Sequence, residues 1–261
     1  MGIAEYHGPR SQMIRCIDHP TMLKEGAGWG AMAGMSAIQL APAGFSGASA
    51  ITIEEALEYW RDLGPRWLIL DQYFKPYPVC RWAQAPIEGV LALACANEVS
   101  ATDVERIEVD SFHEAIRLAM SDPTSTEEAQ YSTSFPCALA LARGRITSQD
   151  LASDNLGDPD LRRLSLGLVM READHANANF PQKRLARVAL VLREGQRLEG
   201  AWVTPRWDHD TPATDAELVT KFHDLADPVL GHDRATAIRD AISDLETRSA
   251  MDLLELLSDA P

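Results

Sequence analysis

A lysine, a tyrosine, a cysteine and an arginine lie close together in a proline-stiffened stretch, where they could bind an anion. The seven residues that begin at Lys75 read KPYPVCR. Pro76 and Pro78 each fix one φ angle and bias the residue before them to extended backbone, which restrains Lys75 and Tyr77. Cys80 is expected near the start of the next helix, where free N–H groups favour an anion. The segment is consistent with a site for a carboxylate-bearing ligand and equally with a surface lysine beside a stiff turn.

The elements that must position this segment are a short apolar run before it and a helix after it. Residues 67–70 read WLIL and predict a strand that ends at the carboxylate of Asp71. Beyond Pro78, apolar residues recur at helical spacing, at Val79, Ala83, Ile87, Val90 and Leu91. The predicted order is strand, turn and helix, and a turn between rigid elements is where functional side chains are commonly placed.

Other cations and hydroxyls could join the site, but no familiar catalytic motif accompanies them. The candidates that could clamp carboxylates and move a proton are Lys24, Lys75, Arg81, Tyr73, Tyr77, Tyr131 and Ser132. The seven histidines are dispersed and form no HExxH motif, and the chain has no P-loop, GxGxxG or GxSxG sequence. Cys80 has no base nearby in sequence, which favours an inert thiol over a nucleophile. We therefore predict neither a metal site nor a bound cofactor.

Charge and cysteine content exclude several classes of protein. The 261 residues carry a formal net charge of -15, which argues against binding a nucleic-acid backbone. Hydrophobic residues make up 46% of the chain and charged residues 24%, as in ordinary globular proteins. Four scattered cysteines and no apolar leader at the N-terminus indicate a reducing compartment, so we expect a cytoplasmic protein.

Residues 26–51 contain no charged side chain and are long enough to cross a bilayer. Glycine, alanine, serine, a proline and a glutamine dominate this run, so its mean hydropathy is poor for insertion. We favour a helix capped near Thr21 and ended at Gly44, with a stripe of glycines packed against another helix. A membrane-associated protein is the weaker alternative.

The rest of the chain predicts an α+β fold with helical ends around a mixed middle. Strands are predicted over 107–110 and 168–170, and a β-hairpin over 187–203. Helices are predicted over 53–62 behind a capping box, over 126–143, over 160–166, and from Thr214 to the end with breaks at Pro228 and Gly231.

The order of five sequence motifs resembles the MmgE/PrpD family across essentially the whole chain. They read HPTMLKEGAGWGAMAGMSAIQLAPAGFSG, YFKPYPVCRWAQAPIEG, AQYSTSFPCALALARG, FPQKRLARVALVLREG and ATDAELVTKFHDLA. The family includes 2-methylcitrate dehydratases, cis-aconitate decarboxylases and iminodisuccinate epimerases. The resemblance implies a homodimeric, cofactor-independent enzyme that moves a proton next to a carboxylate of a small di- or tricarboxylic acid. It leaves open whether water, carbon dioxide or only a proton departs.

The resemblance also assigns roles to individual residues. Lys24 matches the lysine of the family's TMxK motif and Lys75 that of its KxxP motif, and both are expected to line the active-site cleft. Cys80 stands where the decarboxylases have a catalytic histidine, and Phe135 stands where others have a pocket tyrosine. The expected catalytic residues are Lys24, Lys75 and Cys80, and the expected substrate-binding residues are His19, Thr21, Tyr77, Arg81 and Ser132.

The family's long N-terminal helical segment has no counterpart before Met1 in this sequence. By resemblance, residues 1–70 and 213–261 belong to the helical domain, and residues 71–212 form a smaller α+β lid. Two hypotheses follow. The chain is a lyase or isomerase of this type, or it is a non-catalytic subunit that needs a complementary helical chain.

Overall fold

The computed structural model describes residues 1–21, 26–118 and 120–258. Within these ranges the helices are α1 Gly2–His7, α2 Met13–Asp18, α3 Ala27–Leu40, α4 Ile51–Glu54, α5 Gln84–Asn97, α6 His113–Ile116, α7 Thr126–Gln130, α8 Ser134–Arg143, α9 Pro159–Leu166, α10 Asp174–Asn179, α11 Asp215–Leu230, α12 His232–Ser243 and α13 Ala250–Ser258. The strands are β1 Val104–Ser111, β2 Val169–Glu172, β3 Ala186–Leu192 and β4 Arg197–Val203. The fold is α+β and rich in helix, as the sequence predicts.

The four strands form one mixed sheet in the order β2-β1-β3-β4. β2 runs parallel to β1, with Glu108 opposite Val169, while β3 is antiparallel to both β1 and β4. The β3–β4 hairpin turns through Gly195 at φ 92°, a backbone conformation that glycine adopts without steric cost. The predicted strands at 107–110 and 168–170, the predicted hairpin and the predicted helix at 160–166 are all confirmed.

One face of the sheet is covered by α5, α8 and α9. Ile107, Val109 and Leu190 are at most 1% exposed on this face, and Ile87 and Val90 of α5 pack against them in the main hydrophobic core. α5 lies very close to β3, because a Cβ atom added at Gly89 would be 2.6 Å from Val188 Cγ2. This packing fixes the start of α5 relative to the sheet. The residues around Cys80, which directly precede α5, are thereby positioned as well.

The other face of the sheet carries a network of ion pairs around Glu108, whose side chain is 4% exposed. Arg106, Arg171 and Arg197 donate hydrogen bonds to its carboxylate at 3.0 to 3.1 Å. The hydrogen bonds, that from Arg171 foremost, outweigh burial and lower the pKa of Glu108 from 4.5 to about 2. This carboxylate of β1 therefore links β1, β2 and β4 through its three guanidinium partners.

We predict that Glu108→Gln lowers the free energy of unfolding at pH 7 by roughly 2 kcal/mol. This value is smaller than the full pKa shift implies, because the three arginine partners are 40–49% exposed and solvent screens their interaction with the carboxylate. Because the folded pKa is depressed, this stabilisation is fully present above pH 4.5 and is lost as the pH falls through about 2. Urea unfolding across that range checks the prediction. Glu105→Gln, an exposed position on the same strand, is the control. A stability gap between wild type and Glu108→Gln that persists at pH 2 would contradict it.

Two local predictions are wrong, and backbone hydrogen bonding explains both. Residues 67–70 are not a strand, since Leu68–Asp71 form a 3-10 turn whose apolar side chains are exposed. The helix predicted over 53–62 ends at Glu54. The carbonyl of Thr52, which a longer helix would bond to Ala56, instead accepts a hydrogen bond of 2.7 Å from the indole of Trp60.

Three predicted helices differ at their boundaries. The helix predicted over 126–143 is divided into α7 and α8, because Pro136 has no N–H to donate to the carbonyl of Ser132. Pro228 lies inside α11 and does not break it, and the break falls at Gly231 with φ 77°. The helix expected after Thr21 begins at Ala27 behind Gly26, and it passes into a short 3-10 turn that ends at Gly44.

α3 is less covered than its sequence predicts. The predicted stripe consists of Gly26, Gly30 and Gly34, and α1 packs elsewhere on α3. A Cβ atom added at Gly26 would lie 3.4 Å from Oγ of Ser11, but one added at Gly30 or Gly34 would have no atom within 4 Å, so no helix among the described residues lies on that part of the stripe. In the described part of the chain, no helix combines the length and apolar character needed to cross a bilayer. The division of the chain at residues 70 and 212 stays a prediction.

Candidate carboxylate-binding site

The turn that carries Lys75 is held by a buried amide. Gln84, fully buried at the start of α5, donates from Nε2 to the carbonyls of Tyr77 at 3.0 Å and Val79 at 3.2 Å. Its Oε1 accepts a hydrogen bond of 3.2 Å from the backbone N–H of Tyr77. Phe74 N–H also donates to the carbonyl of Trp207 at 3.1 Å. The two prolines and these hydrogen bonds together fix the backbone conformation of the turn from Lys75 to Cys80.

A pocket of about 270 Å³ opens beside this turn. Its lining includes three cations, Lys75, Arg81 and Arg184, and the predicted site residue Cys80. None of the described residues that line the pocket is Asp or Glu; the remaining ones are Met13, Tyr73, Pro78, Val79, Trp82, Gln130 and Tyr131. Positive charge without a carboxylate in the wall favours a small anion.

Arg81 forms the rigid wall of the pocket. Its side chain is 6% exposed and donates from Nη2 to Asp208 at 2.6 Å, and its guanidinium lies 3.9 Å from the centre of the Tyr73 ring. Burial lowers the pKa of Arg81 from its usual value, Asp208 opposes that shift, and Arg184 adds to it. The positive charge of Arg184 has this effect because it disfavours the charged form of a neighbouring cation.

Arg184 is a partly buried cation of this pocket that pairs with no carboxylate among the described residues. Among the described residues, its Nε is buried and has no hydrogen-bond acceptor, and no ion pair joins Arg184 to a carboxylate. The Nε of Arg81 is likewise buried without an acceptor. A buried guanidinium donor without an acceptor is unfavourable, so both arginines favour an anion bound nearby.

Two predicted site residues are buried away from the pocket. Tyr77 donates from its hydroxyl to Glu88 at 2.9 Å, and burial together with Glu88 raises its pKa to about 12. Ser132 is fully buried, donating to the carbonyl of Met120 and accepting a hydrogen bond from Phe135 N–H at 3.0 Å at the start of α8. In this geometry neither hydroxyl lines the pocket.

The remaining predicted residues come from the N-terminal segment. His19 and Thr21 are exposed near the end of α2, and neither lines the pocket. Lys24 lies outside the described residues. α2 itself does reach the site, because Met13 lines the pocket and Cys16 and Ile17 pack in a small cluster with Tyr131 and Leu118.

Comparison with known families settles the membership of the chain. Residues 77–247, well over half of the chain, match the model of the MmgE/PrpD C-terminal domain. The chain belongs to the MmgE/PrpD family. A comparison with curated proteins found no similar sequence.

This MmgE/PrpD chain carries a pocket residue that the sequence analysis missed. Arg184 lies just before β3, about a hundred residues after Lys75. The folding of the sheet brings both residues to the wall of the same pocket. The signal was available, since the motif FPQKRLARVALVLREG contains Arg184. The sequence analysis assigns no role to Gln84, whereas in the structure its side chain positions the turn.

A second cavity, of about 380 Å³, shares Pro78 with the first. Lys221 and Arg206 line it, but so do Glu217 and Asp224. Burial, with a further contribution from Lys75, lowers the pKa of Lys221. Because charges of both signs line this cavity, it suits a polycarboxylate less well than the pocket of Arg184.

Proposed function

We propose that this chain is a cofactor-independent lyase or isomerase of the MmgE/PrpD type, acting on a small di- or tricarboxylic acid. The acid binds in the pocket of Lys75, Arg81 and Arg184, and the reaction removes a proton from the carbon next to a carboxylate. The observation that carries the proposal is a pocket lined by Lys75, Arg81 and Arg184, with no carboxylate among its described lining residues, in which the Nε atoms of both arginines are buried without an acceptor.

The pocket supplies the two chemical functions that this reaction needs. Removing a proton next to a carboxylate builds negative charge on that carboxylate, and fixed cations that need not reorganise stabilise it. Lys75 is exposed on a turn whose backbone is fixed, and the Arg81 side chain is held by Asp208 and Tyr73. Cys80 and Tyr131 in the wall have a thiol and a phenol that can carry the proton. Lys24 remains part of the proposed catalytic set.

Solvent exchange tests this proposal. We expect the purified chain in deuterium oxide to catalyse loss of one C–H signal from a member of a panel of citrate-like and succinate-like acids, followed by proton NMR. Monocarboxylates of similar size are the matched controls and should not exchange, because a single carboxylate bound by Arg81 and Arg184 leaves Lys75 without a partner. A folded chain that exchanges no acid in the panel would contradict the proposal for this chain alone.

Exposed apolar surface favours a second candidate, a subunit that is inactive until another chain covers it. Trp29, Met32, Met35 and Ile38 of α3 are 53–65% exposed, and an apolar cavity of about 390 Å³ lies between α1 and α3. Patches of this kind mark association surfaces. We propose a homodimer or a complementary helical chain as the partner. Sedimentation at several concentrations, run beside the exchange assay, separates an inactive monomer from an active dimer.

A further inference from the structure

Three metal-ligating side chains outside the carboxylate pocket meet where α11 joins α12. Nδ1 of His223 lies 2.8 Å from Oδ1 of Asp227, and Nδ1 of His232 lies 2.8 Å from Oδ2 of the same carboxylate. The three residues can each offer one ligand atom, with all of these atoms within 4.8 Å of one another. The histidines are dispersed in the sequence, which predicts no metal site, but the fold brings two of them together here.

The local fold explains how these side chains meet. His223 and Asp227 are four residues apart in α11, so they lie on one face of that helix. Gly231 then takes φ 77° and ends the helix, and His232 is the first residue of α12. The sharp reversal brings the His232 ring to 5.0 Å from the His223 ring.

The donor set and its exposure suit a transition-metal ion. Two imidazoles and one carboxylate are ligands of Zn²⁺, which places its ligands at about 2.0–2.2 Å and therefore about 3.3 Å from one another in a tetrahedron. One ligand atom from each residue lies within 4.8 Å of the other two, so shifts of up to about 1.5 Å bring the three atoms to that geometry. His223 is 15% exposed and His232 is 70% exposed, so an ion can enter from the His232 side and keep a water ligand there.

We propose that His223, Asp227 and His232 bind one divalent transition-metal ion, such as Zn²⁺, with water completing the tetrahedron. The ion links α12 to the last turns of α11. This site is separate from the carboxylate pocket, and its test does not depend on the proposed activity.

Arg239 contacts His223 and provides a test of which imidazole nitrogen binds the ion. Its Nη1 lies 3.2 Å from Nε2 of His223, while its Nε and Nη2 donate to Asp240. When Nδ1 of His223 binds the ion, Nε2 carries the proton, so the arginine N–H can no longer donate to it. Arg239 then has to move aside, and it opposes the ion by its charge. The Arg239→Gln variant should therefore bind the metal at least as tightly as the wild type.

Calorimetric titration of the untagged, chelator-treated chain with Zn²⁺ tests the site. We expect one ion per chain, and a loss of affinity of about tenfold or more in His232→Ala and in Asp227→Asn, since loss of a ligand costs at least as much as loss of a residue that only orients one. Zn²⁺ should also raise the melting temperature of the wild type but not of His232→Ala. His113→Ala is the matched control, because His113 is 66% exposed and pairs with the single carboxylate of Glu172.

Several results would overturn the site. Equal Zn²⁺ affinity in wild type and His232→Ala would do so, as would the absence of binding to the wild type. A loss in His209→Ala in place of His232→Ala would move the ion to the group of Asp208, His209 and Asp210. Weaker binding by Arg239→Gln would contradict the assignment of Nδ1 as the ligand atom. Far-UV circular dichroism of each metal-free variant shows that it is folded.

Discussion

Arg184→Met should lower the rate of deuterium incorporation into the carboxylic acid substrate by about 100-fold or more, the loss expected when a fixed donor to developing negative charge is removed. Methionine keeps the apolar stem of the side chain and removes only the guanidinium. Lys75→Met should cause a comparable loss. We expect kcat/KM to fall in both variants, and the effect on kcat separates charge stabilisation from simple binding.

Arg184→Met should leave the free energy of unfolding unchanged or raise it. Arg184 has no ion-pair partner among the described residues, its Nε is buried without an acceptor, and it repels Arg81. Removing the guanidinium therefore removes a buried donor without an acceptor and a charge that repels Arg81. Lys183→Met, at the exposed neighbouring position, is the control and should affect neither rate nor stability. An Arg184→Met variant that exchanges at the wild-type rate would contradict the site, and one that unfolds more easily would indicate a structural role instead.

Asp208→Ala should lower the free energy of unfolding by about 3 kcal/mol, because it leaves the buried guanidinium of Arg81 without its carboxylate. The Arg81 side chain is 6% exposed and its ion pair with Asp208 spans 2.6 Å. Urea unfolding measures the change. The double variant Arg81→Met with Asp208→Ala should recover part of the loss, because the unpaired charge is then gone.

The recovery in the double variant distinguishes a buried charge from lost packing. If the double variant is as unstable as the sum of the two single variants, the side chains act independently and the ion pair does not hold the pocket wall. A loss below about 0.5 kcal/mol for Asp208→Ala would place the pair among ordinary surface salt bridges. Asp210→Ala, at an exposed position two residues away, is the matched control.

The sequence predicts those parts of the fold that depend on local pattern. The β3–β4 hairpin follows from the runs VALVL and LEGAWV on either side of a turn that contains Gly195, and α5 follows from helical spacing after Pro78. Residues 67–70 fail because apolar character alone cannot show whether a partner strand exists. Pro136 separates α7 from α8 by a rule that was available in the sequence.

The candidate site likewise contains some residues that the sequence predicts and others that only the tertiary fold brings together. Lys75, Cys80 and Arg81 are neighbours in sequence, so a single stiff turn brings them to one pocket. Arg184 reaches that pocket only because β3 takes its place beside β1, and strand order cannot be read from one sequence. His232 meets His223 through the reversal at Gly231, which the helical spacing of α11 does not reveal. The burial of Tyr77 and Ser132 depends on tertiary hydrogen bonds to Glu88 and Met120.

The most direct test of the carboxylate pocket is a crystal structure of the chain with propane-1,2,3-tricarboxylate, which lacks a leaving group. Our account predicts that one carboxylate accepts hydrogen bonds from Nε of Arg184 and Nε of Arg81, and that a second lies against the ammonium of Lys75. Arg184→Met crystals under the same conditions should show an empty pocket. A tricarboxylate bound in the cavity of Lys221 and Arg206, or an empty Arg184 pocket in wild-type crystals at saturating ligand, would contradict the account.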